Sequence, residues 1–343
     1  MTLASEENLS GTEMPDHGQV VTIAETGVCL LMNMVSLTGN FLVCLAVYKN
    51  PRLRTTTNLY IISLAASDLL SATFVMPFTA GVLITHKWPF GKFYCDIHAF
   101  LVNFGLFVST SVMGLTAFNR YIRINRTNIY DSIFSQQKSR TILALLCIFI
   151  AFYIAVPHFA GFQNFAFVPV YAACHIIHTS KTGMIVHYSI VVSFFLILPF
   201  SVSLFCYLRV FRAIKQHNLE VVPGLQSRIR NARITTQEIK ISKSLFVVVL
   251  GFGMCWIPAW ILAIIMRFDL IPTLPRELYL AHTALVFLSS STNVFIYAGM
   301  NNSFKAEFRR LLSCTTCINL GIKVSPNLTN GGPFELRICN MEK

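Results

Sequence analysis

Residues 95–122 read CDIHAFLVNFGLFVSTSVMGLTAFNRYI, an apolar run that begins at Cys95 and carries Arg120 close to its end. At about 1.5 Å per residue, a helix from Cys95 to Arg120 is long enough to cross the roughly 30 Å hydrocarbon core of a bilayer. The run therefore predicts a membrane-spanning helix with a cysteine at one face of the membrane and a lone cation at the other.

The composition indicates that most of the chain lies in a membrane. Hydrophobic residues make up 54% of the sequence and charged residues 12%, whereas soluble domains carry about 25% charged residues. Seven windows hold the roughly 20 largely apolar residues that a spanning helix needs. They are 25–48, 58–84, 95–122, 141–162, 184–211, 240–266 and 277–300. Because open backbone cannot face lipid, we predict an all-α membrane protein, a seven-transmembrane helix bundle.

The bundle defines the predicted domain organisation. An extracellular N-terminal tail covers residues 1–24, and the seven-transmembrane domain covers residues 25–300. Apolar and basic side chains recur at helical spacing in residues 301–312, which predicts a short amphipathic helix along the inner leaflet. Residues 313–343 are predicted to form a cytoplasmic tail.

The position of the charges predicts the orientation. The net charge is +12, yet residues 1–24 contain no lysine or arginine, whereas the loops at 49–57, 123–140 and 212–243 are basic. This asymmetry places the N-terminus outside the cell and the C-terminus in the cytoplasm of a multi-pass plasma-membrane protein. Because the basic residues line loops beside spans, no nucleic-acid partner is predicted. Asn8 opens a glycosylation sequon in the extracellular tail.

The ten cysteines do not form a disulfide framework, because most lie within predicted spans and pack as small apolar side chains. Cys95 and Cys174 are the pair predicted to face the oxidising side, where a disulfide is stable. Cys314 and Cys317 follow the last span and predict S-palmitoylation, which adds membrane lipid as a partner.

One acid, Asp68, is placed deep in a predicted span, where a charge is costly. Four polar side chains lie at similar predicted depths: Asn40, Ser109, Ser289 and Asn293. One interpretation is a small oxygen-lined cavity that holds water or a sodium ion beside Asp68. The other is a hydrogen-bonded packing network without an ion. No other cofactor is predicted.

Prolines interrupt three predicted spans, at Pro157, Pro199 and Pro258. A proline removes one backbone donor and clashes with the preceding turn, so it kinks a helix. Trp256 lies beside the kink at Pro258, where a large side chain is able to convert a small ligand displacement into movement of half a helix. The alternative is that these prolines only shape the bundle.

Motifs in successive spans carry a family resemblance. They are Gly39-Asn40, Leu64-Ala65-Ala66-Ser67-Asp68, Trp88-Pro89-Phe90-Gly91 before Cys95, Asn119-Arg120-Tyr121, Pro199 with Tyr207, Cys255-Trp256-Ile257-Pro258, and Asn293-Val294-Phe295-Ile296-Tyr297. Each motif is weak alone, but their order and spacing are specific. Over about residues 25–312 the chain resembles the rhodopsin-like (class A) G-protein-coupled receptors.

The resemblance implies a receptor, not an enzyme, that binds an extracellular small molecule and activates a heterotrimeric G protein. It implies that Arg120 docks into the bundle in the inactive state and meets the G protein when the sixth span moves outward. Glu238 takes the place of the acid that often pairs with this arginine. The other switch residues implied are Asn119, Tyr121, Tyr207, Trp256, Pro258, Asn293 and Tyr297.

Two departures from the family pattern indicate a branch. Asn119 stands where an acid is usual, and Val294 stands where proline is usual. Both departures, and the loop run YDSIFS at residues 130–135, are similar to the melatonin-receptor branch. Residues 52–55 and 297–301 are also similar to the medium-chain-fatty-acid receptor branch and to the invertebrate Trapped-in-endoderm/Moody receptors, which remain alternatives.

The missing acid changes what is expected of the arginine. Because Asn119 is neutral, Glu238 is the only acid expected to hold Arg120.

The resemblance also places a ligand pocket in the extracellular half of the bundle. Its predicted residues are Val102, Asn103, Leu106, His158, His178, His187, Trp256, Trp260, Thr283 and Phe287. Val102 stands where amine receptors carry an aspartate, so a cationic ligand lacks its anchor. Phe287 stands where opsins carry the retinal lysine, so no Schiff base forms.

The predicted ligand is a small neutral or lipid-like molecule. Melatonin receptors use an asparagine and a glutamine where this chain has His158 and His178, so the ligand contacts have changed. The remaining site is aromatic and largely uncharged, as is typical of such ligands. Alternatively, Arg267 near the outer end of the sixth span receives a carboxylate.

Eight of the nine histidines map to the outer half of the chain's predicted fold. Imidazole titrates near pH 6.5, so modulation of the receptor by protons is a hypothesis, with ordinary hydrogen-bonding histidines as the alternative. No metal site is predicted, because no short-range ligand spacing recurs.

A membrane transporter or channel is the rival class, because it also places acids within a helical bundle. Transporters commonly show paired repeats and channels show rings of charge, and this sequence shows neither. An intramembrane enzyme needs a nucleophile–base or metal set, and none is evident.

Overall fold

The computed structural model describes Met14 and residues 18–220, 236–268, 270–271 and 274–319. Within these residues, seven helices are long and apolar enough to cross a membrane. They are span one (Gln19–Lys49), span two (Thr56–Thr85), span three (Gly91–Asn125), span four (Gln136–Phe159), span five (Lys181–Gln216), span six (Glu238–Arg267) and span seven (Arg276–Met300). The predicted seven-transmembrane bundle is confirmed.

Two of the spans consist of more than one helical segment. Span two is made of helices Thr56–Phe74 and Met76–Thr85. Span five is made of Lys181–Ile190, a wide π-helical segment at Val191–Ile197, and Leu198–Glu220. The other elements are the short helices Pro51–Leu53, Thr127–Ile129, Tyr130–Ile133 and Pro169–Tyr171, the strands β1 (Gln163–Val168) and β2 (Ala173–His178), the helix Thr236–Arg267 that contains span six, and a surface helix at Asn302–Asn319.

Several predicted features fall outside the described part of the chain. The glycosylation sequon at Asn8 and the tail beyond residue 319 are not described. The backbone at Cys314 and Cys317 belongs to the surface helix, but their side chains are likewise outside the description.

The helices are longer than the apolar windows that predicted them. Span one begins at Gln19 rather than at residue 25, and span five begins at Lys181 rather than at residue 184. The surface helix runs to Asn319, beyond the predicted 301–312. The windows counted apolar residues, whereas a helix continues through polar residues wherever its backbone hydrogen bonds continue.

Side-chain caps define where three of the spans begin. Thr55 Oγ1 accepts a hydrogen bond from the Asn58 amide at 3.2 Å, and Ser135 Oγ accepts from Lys138 at 3.2 Å. Ser180 Oγ accepts from the Gly183 amide at 3.0 Å in the same manner. Each cap satisfies an amide that has no partner within its own helix, so a hydroxyl residue fixes the start of spans two, four and five.

Prolines shape four spans, of which the sequence analysis named three. Pro157 and Pro258 lie inside the helices of spans four and six. Pro199 follows the π-helical segment of span five, because the wider turn accommodates the missing N–H and the bulky ring. The fourth, Pro77, was missed: span two is interrupted at Val75, two residues before it.

Two glycines allow neighbouring spans to approach closely. A Cβ at Gly114 would lie 3.3 Å from Cα of Pro199, where span three meets span five. A Cβ at Gly39 would lie 2.6 Å from Cγ1 of Val294, where span one meets span seven. Val294, which replaces the usual proline, therefore occupies the space that Gly39 leaves open.

The surface helix packs against the end of span seven. Phe304 and Phe308 are buried, and the Phe304 ring lies 5.9 Å from that of Tyr297, measured between ring centroids. Asn50 Nδ2 donates to Glu307 Oε2 at 3.0 Å, which ties this helix to the loop after span one. The helix thus has a buried aromatic face against the bundle.

Substitution of Gly39 by alanine is expected to destabilise the receptor through contact with Val294. The two methyl groups of valine cannot rotate away freely because its χ1 angle is restricted. We expect a loss of about 1–3 kcal/mol, the usual cost of overpacking. The thermal denaturation midpoint of purified receptor measures this loss.

Two further variants test the cause. Val294→Ala added to Gly39→Ala should restore most of the stability, because it removes the opposing methyl groups. Gly299→Ala is the matched control, since no atom lies within 4 Å of a Cβ there. Equal destabilisation by Gly39→Ala and Gly299→Ala would show that close approach is not the reason.

Candidate functional site

The bundle has two chemically different ends, and its candidate sites lie between them. We call the end with Cys95 and Cys174 the disulfide end, and the end with Arg120 the arginine end. β1 and β2 pair antiparallel at the disulfide end, with Phe167 opposite Cys174. The Cys95–Cys174 disulfide joins β2 to the start of span three, which confirms the predicted pairing.

Tyr171, in the turn between the two strands, anchors the hairpin on the bundle. Its carbonyl oxygen accepts from Thr283 Oγ1 at 3.1 Å, and its hydroxyl donates to Met266 Sδ at 3.3 Å. The hairpin is therefore tied to spans six and seven as well as to span three. Burial raises the pKa of the Tyr171 phenol, so this group stays a neutral donor in the physiological pH range.

A cavity lies beneath the hairpin, with an empty volume of about 690 Å³ that is partly open to solvent. The cavity is lined by Val102, Asn103, Leu106, Phe107, Tyr171, His175, Ile176, His187, Tyr188, Val191, Trp256, Ala259, Trp260, Ala263, Arg267, His282 and Val286. Six predicted pocket residues are among them: Val102, Asn103, Leu106, His187, Trp256 and Trp260.

Two predicted histidines lie behind the cavity rather than in its lining. The His158 ring stacks on Phe165 of β1, with 4.3 Å between ring centroids. The His178 ring lies 4.9 Å from that of His187, which does line the cavity. The side chain that directly follows Pro157 therefore packs against strand β1 instead of lining the cavity.

Two predicted residues of span seven also lie outside this cavity. Thr283 is engaged with the Tyr171 carbonyl. Phe287 lines a second, deeper cavity, while its neighbour Val286 lines both. Successive residues on a helix point about 100° apart, so a prediction that is wrong by one position selects a different face.

The sequence analysis missed the contribution of the hairpin to the cavity. Tyr171 and His175 lie three residues before and one residue after Cys174. The Cys95–Cys174 disulfide holds the residues near Cys174 over the bundle. Closeness to Cys174 in the sequence was therefore the signal that could have identified Tyr171 and His175 as cavity residues. Tyr171 then places its ring 4.6 Å from His175 and 5.4 Å from His282.

The electrostatic character of the cavity is set by Arg267. No aspartate or glutamate is among the lining residues, and Arg267 is the one lysine or arginine among them. Burial lowers the pKa of His175, and the positive charge of Arg267 lowers it further. His175 is therefore neutral at physiological pH, beside a guanidinium that is positively charged.

The second cavity surrounds Asp68 and has an empty volume of about 360 Å³. Ser109 and Ser289, both predicted, line it with Asp68, and Asn293 Nδ2 donates to Asp68 Oδ2 at 3.1 Å. Asn40 does not line it, because its Nδ2 donates to the carbonyl oxygen of Ser290 at 3.1 Å. Carboxylate and hydroxyl oxygens are the donors that a hard cation such as sodium prefers, so these residues fit the ion.

At the arginine end, one carboxylate contacts two guanidinium groups. Glu238 Oε2 lies 3.4 Å from Nη1 of Arg120, and Oε1 accepts from Nε of Arg123 at 3.0 Å. Only 3% of the Arg120 side chain is exposed, compared with 44% of Arg123. The structure thus adds Arg123 to the pair expected from the sequence.

Asn119 holds Arg120 through a neutral oxygen. Its Oδ1 accepts from Nη2 of Arg120 at 3.1 Å, while its Nδ2 donates to the Tyr130 hydroxyl at 3.2 Å. Nη2 of Arg120 also donates to the hydroxyl of Thr57. The guanidinium therefore has acceptors from spans two and three besides Glu238. Tyr121, the third residue of the triplet, packs its ring 5.9 Å from Phe205 of span five.

The remaining predicted switch residues are buried between the two ends. Tyr207 and Tyr297 belong to one apolar cluster, and each is 1% exposed. Their hydroxyls have no hydrogen-bond partner among the described residues. Trp256 lines both cavities, two residues before Pro258 on span six.

Residues 39–297 of the chain match a sequence profile described as 7 transmembrane receptor (rhodopsin family). The chain belongs to the rhodopsin family of seven-transmembrane receptors. It is therefore a G-protein-coupled receptor, a multi-pass plasma-membrane protein that signals and is not an enzyme. Coupling to a G protein and a small-molecule ligand follow from membership of this family.

Curated relatives of this receptor are melatonin receptors. Melatonin receptor type 1A of Mus musculus is 28% identical over 284 residues, which cover 81% of this chain and 77% of the relative. The type 1A receptor of Gallus gallus is 28% identical over 324 residues, covering 90% and 88%. The type 1C receptor of Xenopus laevis is 28% identical over 302 residues, covering 86% and 68%. The resemblance to the melatonin-receptor branch is confirmed.

Removal of the disulfide is expected to loosen the hairpin over the cavity of this rhodopsin-family receptor. Cys174→Ser opens a covalent link between residues 79 positions apart. Loss of a disulfide typically costs about 2–5 kcal/mol, so we expect a lower denaturation midpoint for the variant. Thermal denaturation of purified receptor measures it.

A reducing agent provides the control for this variant. It should lower the midpoint of the wild type toward that of Cys174→Ser and leave the variant unchanged. Cys44→Ser, which changes a free cysteine, should behave as the wild type does. A wild-type midpoint that does not respond to complete reduction would contradict the expected role of this link.

Proposed function

We propose that this receptor binds a small molecule in the cavity at its disulfide end and activates a heterotrimeric G protein at its arginine end. The observation that carries the proposal is the position of span six. Trp256 on this span lines the ligand cavity, and Glu238 on the same span contacts Arg120. Pro258 lies on this helix between Arg267, which also lines the cavity, and Glu238, so one proline-containing helix connects both sites.

The proposed activation step is outward movement of the Glu238 end of span six. A ligand that displaces Trp256 favours a different bend at Pro258, and this moves Glu238 away from Arg120. The arginine then becomes available to the G protein. Tyr207 and Tyr297, which belong to the same buried apolar cluster, are the groups proposed to fill the space that span six leaves.

The proposed orientation places the disulfide end outside the cell. A disulfide persists in an oxidising compartment, and residues 1–24 carry no lysine or arginine. The arginine end then faces the cytoplasm, with residues 301–312 along the inner leaflet and residues 313–343 as a tail. In this orientation Asn8 is accessible to glycosylation, and Cys314 and Cys317 lie where palmitoylation occurs.

Membrane lipid is a proposed partner of the surface helix. Its buried aromatic residues face the bundle, whereas Arg309 and Arg310 are exposed and able to meet anionic headgroups.

The proposed ligand is a small neutral or lipid-like molecule with a largely apolar or aromatic body. No acid lines the cavity, so a cationic amine finds no carboxylate there. Melatonin, which names the curated relatives, is not the proposed ligand, because histidines replace the family's contact residues. Asp68 with its neighbouring serines is the proposed site for a sodium ion, whose binding would favour the inactive bundle.

Loss of Arg120 is expected to abolish signalling without removing the receptor from the membrane. Arg120→Ala removes the proposed contact with the G protein, so ligand-free and stimulated nucleotide exchange on reconstituted G protein should both fall to the background level. Surface labelling of cells provides the control for expression. Exchange that continues at the wild-type rate, or transport of ions or solutes without a G protein, would contradict the proposed function.

Loss of Glu238 is expected to raise ligand-free signalling. Glu238→Ala leaves Arg120 without its acidic partner, and we expect about a twofold to fivefold rise, as for a partly exposed ion pair worth ~0.4–1 kcal/mol. G-protein nucleotide exchange without added ligand measures this rise.

Two variants serve as matched controls for Glu238→Ala. Arg123→Gln should not raise basal exchange, because it leaves Glu238 entirely to Arg120. Glu277→Ala changes an exposed acid at the opposite end of the bundle and should also have no effect. Unchanged basal exchange in Glu238→Ala would remove this ion pair from the mechanism.

A further inference from the structure

We propose that the cavity recognises a carboxylate on an apolar or aromatic body, with Arg267 as the anion-binding residue. The inference rests on the proposed function. It adds a polar group to the apolar or aromatic body proposed above, namely a carboxylate with a single negative charge. Three features of the cavity carry it: buried donors without partners, the fixed position of the guanidinium, and the apolar character of most other lining residues.

Two buried hydrogen-bond donors on cavity-lining residues lack partners. Trp256 and Trp260 are 4% and 6% exposed, and neither indole Nε1 has a hydrogen-bond partner among the described residues. An indole N–H is a donor only, and a buried donor without a partner is costly. The amide of Asn103 already donates to the carbonyl oxygen of Ala99 at 2.8 Å. A ligand that satisfies these groups must therefore carry acceptor oxygens.

Tyr171 fixes the place of the cation. The Arg267 guanidinium carbon lies 5.8 Å from the centroid of the Tyr171 ring, within the range of a cation–π contact. The ring itself is held by the hydrogen bonds of Tyr171 to Met266 and Thr283. Arg267 is thus positioned at the cavity by a residue that is tied to spans six and seven.

Two histidines complete the polar wall around Tyr171. His175 and His282 lie against the Tyr171 ring, and their own ring centroids are 6.4 Å apart. Nδ1 of His282 is buried and has no partner among the described residues. An anion in contact with Arg267 is therefore near the imidazoles of His175 and His282, while no lining carboxylate repels it.

The rest of the cavity is suited to an apolar body. Val102, Leu106 and Val286 are among its apolar lining residues. A planar guanidinium pairs with a carboxylate through two parallel hydrogen bonds, which is the geometry that one arginine provides. A phosphate dianion calls for more than one cation, and Arg267 is the one lysine or arginine among the lining residues. The site therefore fits a monoanion better than a phosphate.

The test compares acids with their uncharged amides on full-length receptor in phosphatidylcholine nanodiscs. The probes are 3-phenylpropionic acid against its amide, and octanoic acid against octanamide. Thermal stabilisation measured over a concentration series gives an apparent affinity for each, since a ligand that binds the folded state raises the denaturation midpoint. At least one acid is expected to bind roughly tenfold or more tightly than its amide, as a charge-assisted contact provides.

Three variants test whether Arg267 causes the preference for acids over amides. Arg267→Gln should reduce the preference for the acid to less than about threefold, and Arg267→Lys should retain part of it, since lysine keeps the charge without the fork. Lys181→Gln, which changes an exposed cation outside the cavity lining, should leave the preference unchanged. Nanodiscs that contain phosphatidylserine but no added acid test whether a lipid carboxylate occupies the same site.

The outcomes separate the inference from the function on which it rests. The inference is wrong if no acid stabilises the receptor, if amides bind as well as acids, or if Arg267→Gln retains the preference. It is narrowed to a lipid carboxylate, and still supported, if only phosphatidylserine stabilises the wild type and not Arg267→Gln. Basal G-protein exchange that depends on Arg120 would meanwhile preserve the proposed function, whereas its absence would reject that function whatever the binding result.

Discussion

The hydrocarbon interior of the bilayer offers no hydrogen-bond partner, and the rest of this structure depends on that constraint. Backbone groups must be satisfied within helices, which leaves seven spans as the scaffold. Polar side chains face the same demand, so they gather inside the bundle. Asp68 is paired with Asn293, and Arg120 with Glu238 and Asn119. The sites considered functional are the places where such groups meet.

Span six connects these places because it contributes to each of them. It carries Arg267 and Trp256 at the cavity of the disulfide end, Pro258 within its helix and Glu238 at the arginine end. Span seven packs along it, while spans three and five form the opposite wall, where Gly114 and Pro199 approach closely. In the proposed mechanism, span six moves relative to these neighbouring spans.

The sequence predicted features that depend on local chemistry and missed those that depend on tertiary contact. Apolar windows located the seven spans, and compartment chemistry paired Cys95 with Cys174. The interruption at Val75 was missed because Pro77 was not weighed with the other prolines. The place of Tyr171 over the cavity depends on strand register and on a disulfide between elements far apart in the chain, which no local pattern contains.

The arginine end shows the same limit in electrostatic terms. Asn119 lacks the negative charge of the usual acid, as the sequence predicted, but its amide oxygen still accepts a hydrogen bond from Arg120. The sequence placed Glu238 beside Arg120, yet nothing local to either residue indicated that Arg123 shares the carboxylate. One negative charge therefore faces two positive charges, of which Arg120 is buried and Arg123 is largely in solvent. Water screens the exposed Arg123 more strongly than the buried Arg120. In the proposed mechanism, release of Glu238 removes the acid that Arg120 and Arg123 share, and the guanidinium that holds the resting helix then becomes available to the G protein.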